Sequence, residues 1–126
     1  MNRTANAVGV GSNYNNDGAT GVSALAAGVG AAASGQNGVA IGTNASATLN
    51  NGVALGSSPV TSVDANVYGY DPKTNTTAVA SSTVGGTVGT LAAVSVGNVA
   101  AKQFRQINGV AAGSVDTDAV NVAQLK

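Results

Sequence analysis

The chain has 126 residues, a formal net charge of zero, and only five basic and five acidic side chains. These few basic residues form no basic patch that could bind the phosphate backbone of nucleic acid, so nucleic acid is not an expected partner. The sequence has no cysteine, histidine or glutamate, which excludes disulfides, zinc–thiolate sites and histidine-based acyl transfer.

A short pattern of aliphatic-Ala-aliphatic-Gly type repeats in the first half of the chain. Copies at 25–28, 39–42 and 53–56 start 14 residues apart, and a degenerate copy at 8–11 precedes them. An Asn-rich loop at 13–16 lengthens the first interval. A fixed short period indicates one structural unit stacked on itself.

Each repeat alternates with a period of two, which predicts short strands. Glycine ends the first strand of each unit, where a sharp turn needs positive φ or a close backbone approach. Asn-Gly pairs at 37–38 and 51–52 predict turns. We expect an all-β, parallel β-solenoid or β-roll. Its narrow interior is predicted to hold Val, Ile and Leu on one side and small groups elsewhere.

Residues 57–93 interrupt the repeat. Pro59 is expected to stop the third unit before its second strand, because proline lacks the N–H that a ladder needs. Alternating Tyr and Val around an Asp-Pro-Lys-Thr-Asn turn predict a hairpin within 67–80. Its aromatics, Tyr68 and Tyr70, could contact a ligand, but they are more simply explained as residues that cover the hairpin against its own body. A further copy at 94–97 resumes the repeat, about 27 residues late.

The last residues indicate a helix. Asp116 and Asp118 are suited to a helix start. Val115, Val122 and Leu125 are spaced by seven and three, as at the a and d positions of a coiled coil. Because eight residues are too few for an isolated helix, this one needs partner helices or a longer continuation.

Three segments near the C-terminus carry a specific resemblance. Residues 105–107, 108–113 and 116–125 (RQI, NGVAAG and DTDAVNVAQL) closely resemble the neck motif of trimeric autotransporter adhesins. The units around 39–42 resemble the head repeats of the YadA-like branch of that family. The resemblance implies a homotrimer of left-handed parallel β-rolls on a Gram-negative cell surface. It also implies a neck in which chains cross between subunits onto a three-stranded stalk, with the membrane anchor outside this sequence.

The expected domain organisation has four parts: head repeats at 1–56, a head insertion with a β-hairpin at 57–93, the last repeat strand and neck at 94–118, and the start of a coiled-coil stalk at 119–126. A thin, nearly uncharged coil buries little apolar area alone, so several copies are expected to share a core, and the resemblance implies that there are three around a threefold axis. The predicted trimer-core residues are Val39, Ile41, Val53, Leu55, Val122 and Leu125.

The expected function is non-enzymatic, multivalent attachment to host cells or extracellular matrix, without a cofactor or metal, by a head-and-neck fragment of a bacterial surface adhesin. No individual ligand-binding residue is assigned. Two alternatives remain open: a structural spacer that projects a distal binding domain, and a phage tail-fibre segment, which the neck motif disfavours. The glycines at 28–30 mimic a dinucleotide fingerprint, but the acidic residue expected about 20 positions later is missing.

Overall fold

The computed structural model describes residues 17–126. The predicted degenerate copy at 8–11 and the loop at 13–16 lie outside the described residues. Within 17–126 the regular elements are short strands and two 3₁₀ helices, η1 (Gly85–Thr87) and η2 (Val122–Leu125). The strands are β1 (Leu25–Ala27), β2 (Ala32–Ala33), β3 (Val39–Ile41), β4 (Ser46–Ala47), β5 (Val53–Leu55), β6 (Tyr70–Asp71), β7 (Thr76–Thr77) and β8 (Val94–Ser95).

The repeat forms stacked parallel coils, as its period predicts. One sheet has the order β1-β3-β5-β8, and Leu25 lies beside Val39, Val39 beside Val53, and Val53 beside Val94. A second parallel sheet pairs β2 with β4. The first coil contains β1 and β2, the second β3 and β4, and the third starts with β5. β8 resumes the first sheet after the interruption.

Alanine fills the interior of the coils. The core cluster consists of Ala26, Ala31, Ala33, Ala40, Ala45, Ala47 and Ala54. The prediction that Val, Ile and Leu occupy this interior is wrong. The larger residues at the outer positions of β1, β3 and β5 point away from it, and Leu25, Ile41 and Leu55 are exposed. A strand alternates its residues between its two faces, so the central alanines of β1, β3 and β5 face the interior and the larger residues face outward.

The glycines that end β1, β3 and β5 are required by the backbone, as the sequence predicts. Gly28, Gly42 and Gly56 have φ of +138°, +122° and +113°. A Cβ on Gly28 or Gly42 would overlap the carbonyl group of the matching glycine in the next coil. Both the positive φ and the close approach therefore select glycine at this corner.

The third unit has no second strand among the described residues, in agreement with the prediction. The predicted cause is wrong, because hydrogen bonding to the second coil continues past Pro59. Its carbonyl accepts the Ser46 N–H at 2.9 Å, and Val60 forms a parallel bridge with Ser46. In the second coil the matching residue, Ala45, donates its N–H to Gly42 within the turn and not to a neighbouring strand. The N–H that proline lacks is thus a turn donor, so the ladder continues to Thr61.

The extra residues that interrupt the repeat are inserted at a single turn. In the regular coils this turn closes through an N–H···O bond over three residues, as from Gly52 to Leu49 at 3.1 Å. Where the repeat breaks, Ala93 donates the same bond to Val63 at 3.0 Å. Residues 64–92, called the inserted segment below, therefore replace the two residues between Leu49 and Gly52. Residues 57–61 remain in the third coil, so the interruption begins later than the predicted position 57.

The inserted segment contains the antiparallel hairpin that the sequence pattern predicts, shortened to two residues a strand. Tyr70 of β6 lies opposite Thr77 of β7, and Asp71 lies opposite Thr76. The Asp71 carboxylate accepts the Lys73 N–H at 2.9 Å, which forms the turn after β6. The rest of the segment is irregular apart from η1.

The end of the chain is less regular than predicted. Residues 116–118 start no helix, and the only helical turn after β8 is η2. Asn121 caps it, because its side chain accepts the Gln124 N–H while Gln124 bonds back to the Asn121 N–H. Within residues 17–126 no side chain of η2 is buried, and four residues are too few for a stable α-helix. The described part of the chain contains no helix able to span a membrane.

Candidate functional site

The outer side of the first sheet forms a continuous apolar surface, called the aliphatic face below. Its residues are Leu25, Val39, Ile41, Val53, Leu55 and Val94. In the isolated chain Ile41 is 42% exposed and Leu55 37%, whereas the alanines between the face residues on the same strands are nearly fully buried. The strands thus bury their small side chains and present their large ones.

The parallel register aligns these side chains in two columns. Leu25, Val39, Val53 and Val94 form one column, and Ile41 and Leu55 form the core of the other. No charged residue occurs from Gly18 to Val63, so nothing in the repeats interrupts the columns with an ionic group. A contiguous ladder of this kind is typical of a surface that packs against another protein surface.

The structure brings four of the six predicted trimer-core residues together. Val39, Ile41, Val53 and Leu55 are neighbours on β3 and β5. Val122 and Leu125 lie on η2, where their side chains are 68% and 77% exposed. All six residues therefore have apolar surface available for contact with another chain, four on the head repeats and two at the end of the chain.

Thr61 is a polar residue at a position where the repeat has alanine. It is only 4% exposed. Its hydroxyl oxygen accepts the Thr48 N–H at 3.0 Å and the Leu49 N–H at 3.3 Å. One coil earlier, the matching donors at Ser34 and Gly35 bond instead to a backbone carbonyl, that of Ala47. Thr61 thus replaces a backbone acceptor where the chain is about to leave the coil.

Sequence reasoning missed this role, although the repeat contains its signal. Thr61 follows Ala47 by one period, so a buried hydroxyl replaces a buried alanine there. Such a change at an interior position indicates a backbone group in need of a partner.

The turn before η2 is organised by a carboxylate. Asp118 accepts hydrogen bonds from the Ser114 N–H at 2.8 Å, the Ser114 hydroxyl at 3.0 Å and the Val115 N–H at 3.2 Å. These bonds, led by the one from the Ser114 backbone, lower the pKa of Asp118 below its ordinary value of 3.8. Gln124 adds a second link, donating to the Gly113 carbonyl at 3.1 Å.

The inserted segment presents polar and aromatic groups. The Tyr70 hydroxyl donates to the Asn75 side chain, and Tyr68 is 39% exposed. A cleft of about 490 Å³ lies between the β6–β7 turn and residues 81–84. Asp71, which lines it, is buried and held by the Lys73 N–H. Among residues 17–126 no three potential metal ligands lie close enough to hold an ion.

Comparison with known proteins matches both ends of the described chain. The model of the YadA head domain repeat matches twice, at residues 19–45 and 33–58. The model of the coiled stalk of trimeric autotransporter adhesins matches residues 106–126. The chain is therefore similar to trimeric autotransporter adhesins in its head repeats and in its C-terminal segment. The head matches lie on the stacked coils that form the aliphatic face, and the stalk match contains Val122 and Leu125.

Two curated adhesins share this sequence pattern. The chain is 54% identical over 67 residues to the autotransporter adhesin BadA of Bartonella henselae, covering 53% of this chain and 2% of BadA. It is 62% identical over 40 residues to the trimeric autotransporter adhesin AtaA of Acinetobacter sp. (strain Tol 5), covering 32% of this chain and 1% of AtaA. The chain therefore spans only a very small part of either relative.

Proposed function

We propose that this adhesin segment acts as a homotrimer on the outer surface of a Gram-negative bacterium. There it attaches the cell to host cells or extracellular matrix by multivalent, non-enzymatic binding, without a cofactor. The single observation that carries the proposal is the aliphatic face: an uncharged, in-register apolar ladder on repeats that match an adhesin head. Any contact with a membrane is assigned to an anchor domain outside this sequence.

The mismatch between the two sides of the first sheet supports the proposed trimer. The interior is lined by alanine, which contributes little burial per residue, while Ile41 and Leu55 remain in water. Burying a large aliphatic side chain stabilises a protein by about 1.5–3 kcal/mol. Three copies related by a closed threefold axis can bury these columns against one another and leave no open contact for further copies. We propose that each head is a left-handed β-roll in this arrangement.

The proposed trimer also accounts for the irregular end of the chain. Val115, Val122 and Leu125 are all more than 60% exposed in the isolated chain. In a trimer the three copies would meet at these a and d positions, and η2 would lengthen into a coiled-coil helix. The proposed division extends the head repeats to residue 63, with the inserted segment at 64–92, and keeps the neck at 94–118 and the stalk from 119.

Multivalency gives the proposed attachment its strength. Three identical heads on one fibre convert later contacts into intramolecular ones, so weak individual contacts add to a strong attachment. This mechanism needs no enclosed pocket and no catalytic group.

The test compares binding by the trimer and by a destabilised variant. Purified trimer is applied to a panel of immobilised matrix proteins and to host cells, with an Ile41→Asp variant as the control in which the trimer is expected to be destabilised, its mass and β-structure being measured in parallel. Saturable binding by the trimer, lost or greatly weakened in the variant, is the expected result. Absence of saturable binding across the panel would refute attachment by this segment and favour the alternative, a spacer that projects a distal binding domain. The phage tail-fibre alternative gains no support from the matches to adhesin head and stalk.

A further inference from the structure

The coil stack ends in an incomplete coil. β8 pairs with β5 as a normal next strand, with Val53 beside Val94. In regular coils a four-residue corner then leads to the second sheet, as between Ile41 and Ser46. After β8 the chain takes a shorter path, because the Gly97 carbonyl already accepts the Val60 N–H of the second sheet at 2.9 Å. The corner of the fourth coil is therefore missing.

The missing corner would have supplied backbone donors to the third coil. Between complete coils, the Asn44 N–H bonds to the Val29 carbonyl at 2.9 Å, and the Ser58 N–H bonds to the Thr43 carbonyl at 2.8 Å. The next acceptor in this series is the Ser57 carbonyl. No backbone N–H of a fourth corner is present to reach it.

A side chain from further along the chain occupies this place. The Arg105 guanidinium donates through Nη2 to the Ser57 carbonyl at 2.6 Å and through Nη1 to the Val96 carbonyl. The guanidinium also lies where the backbone of the fourth corner would lie. A Cβ on Gly56 would lie 3.4 Å from the guanidinium carbon, whereas a Cβ on Gly42 would meet the Gly56 carbonyl group.

We propose that Arg105 is the closing cap of the coil stack, its guanidinium replacing the backbone donors of the missing fourth corner. A planar fork with several N–H groups suits two carbonyls that point to one place, and a lysine ammonium lacks this fixed geometry. The cap also links Ser57 in the third coil to the residue that directly precedes the stalk match at 106–126. Arg105 thus positions the exit of the chain from the head.

Amide hydrogen exchange on the assembled protein tests the cap. The informative N–H groups are those of Val60, bonded to Gly97, and of Asn98 and Gln103, which bond to each other's carbonyls beside it. In Arg105→Ala we expect these amides to exchange faster by on the order of tenfold or more. The Gly42 and Asn44 amides, between complete coils, are expected to exchange at the wild-type rate.

Two further variants make the result decisive. Lys73→Ala removes an exposed cation from the inserted segment and should leave all five amides unchanged. Arg105→Lys keeps the charge but not the fork, and should accelerate exchange at Val60, Asn98 and Gln103. If Arg105→Ala does not fold, Arg105→Lys alone decides. Wild-type exchange at these amides in Arg105→Lys, or equal acceleration in Lys73→Ala, would overturn the proposal. Trimer formation is measured separately, so failure of the cap and failure of the proposed assembly remain distinguishable.

Discussion

Thr61 shows how one side chain can repair an interrupted backbone ladder. The hydroxyl satisfies two N–H groups that a third-coil carbonyl would otherwise accept. Thr61→Val keeps the shape but leaves both donors without this partner. We expect a loss of about 1–3 kcal/mol in the free energy of unfolding, measured by denaturant titration.

Two control variants distinguish the loss of the Thr61 hydroxyl from the general effect of replacing a threonine by valine. Thr61→Ser retains the acceptor and should stay close to wild type. Thr48 is exposed, so Thr48→Val should change stability little. A wild-type unfolding midpoint for Thr61→Val would show that the hydroxyl does not support the ladder.

The glycine corner provides a second prediction at the residue scale. At Gly42 the backbone has φ of +122°, and a Cβ would overlap the carbonyl group of Gly56. Gly42→Ala should lower the free energy of unfolding by about 1–3 kcal/mol, because strain and overlap both oppose the native coil. Gly86→Ala is the control, since a Cβ there meets nothing within 4 Å. Equal melting temperatures for the two variants would contradict the close stacking of the corners.

The Asp118 turn predicts a local response to acid. Because hydrogen bonds lower the pKa of Asp118 in the folded chain, its contribution is fully present above its ordinary value of 3.8. The contribution is lost as the pH falls through the lowered value. The amide resonances of Ser114 and Val115 should therefore move in NMR spectra only below about pH 3.8. Asp118→Asn should shift both amides at neutral pH, whereas Asp116→Asn should not. A shift that titrates near neutrality would contradict this assignment.

At the scale of elements, the inserted segment can be exchanged for a turn. It joins Val63 to Ala93, and these two residues keep the hydrogen bond of a regular turn. Replacing residues 64–92 by Asn-Asn, as at 50–51, restores the period of the repeat. We expect the shortened protein to fold with β8 still beside β5. The measurement is the cross-strand contacts between Val53 and Val94 by NMR.

A control places the same Asn-Asn replacement one residue out of register, by also deleting Ala93. This variant shifts β8 by one residue, which turns its outer side chains inward. It should be much less stable than the in-register replacement. Equal stability of the two proteins would contradict the view that the inserted segment replaces one turn.

The sequence predicts the stacked elements well because their signal is periodic. A 14-residue repeat ending in glycine specifies parallel pairing and register, and even the match at Val94 after a long interruption is correct. The prediction that the large aliphatic residues fill the interior of the coil is wrong, because alanine fills it. Alternation shows that two faces differ, but the distance between the sheets decides which face is inside. The distance between the sheets depends on the side chains of the opposite strand, and the alternation within one strand does not specify them.

The roles of single residues where the repeat becomes irregular cannot be predicted from its period. Pro59 breaks a strand on average, yet here its missing N–H belongs to a turn. Arg105 reaches Ser57 from 48 residues away, a contact without any local pattern. The helix expected at the C-terminus is only the four-residue η2 in the isolated chain, and in the proposed trimer its extension would depend on the other copies.

At the scale of the whole molecule, the aliphatic face and the segment that matches the stalk are both proposed to pack against other copies of the chain. Ile41→Asp places a charge in the proposed trimer core, and Val122→Asp places one at the proposed stalk axis. Both should lower the melting temperature of the trimer, Ile41→Asp the more because Ile41 is already the less exposed of the two in the isolated chain, 42% against 68%. Val22→Asp, at a residue 71% exposed in a turn, is the control. An unchanged melting curve for Val122→Asp would show that the proposed coiled-coil register is wrong.

Solution mass tests the central claim most directly. The chain has a mass of 11.9 kDa, and the proposed assembly predicts three times this value by multi-angle light scattering. On dilution, loss of the trimer should coincide with loss of β-structure, since the aliphatic face has no other cover. A folded species with the mass of one chain, stable at low micromolar concentration, would contradict the account.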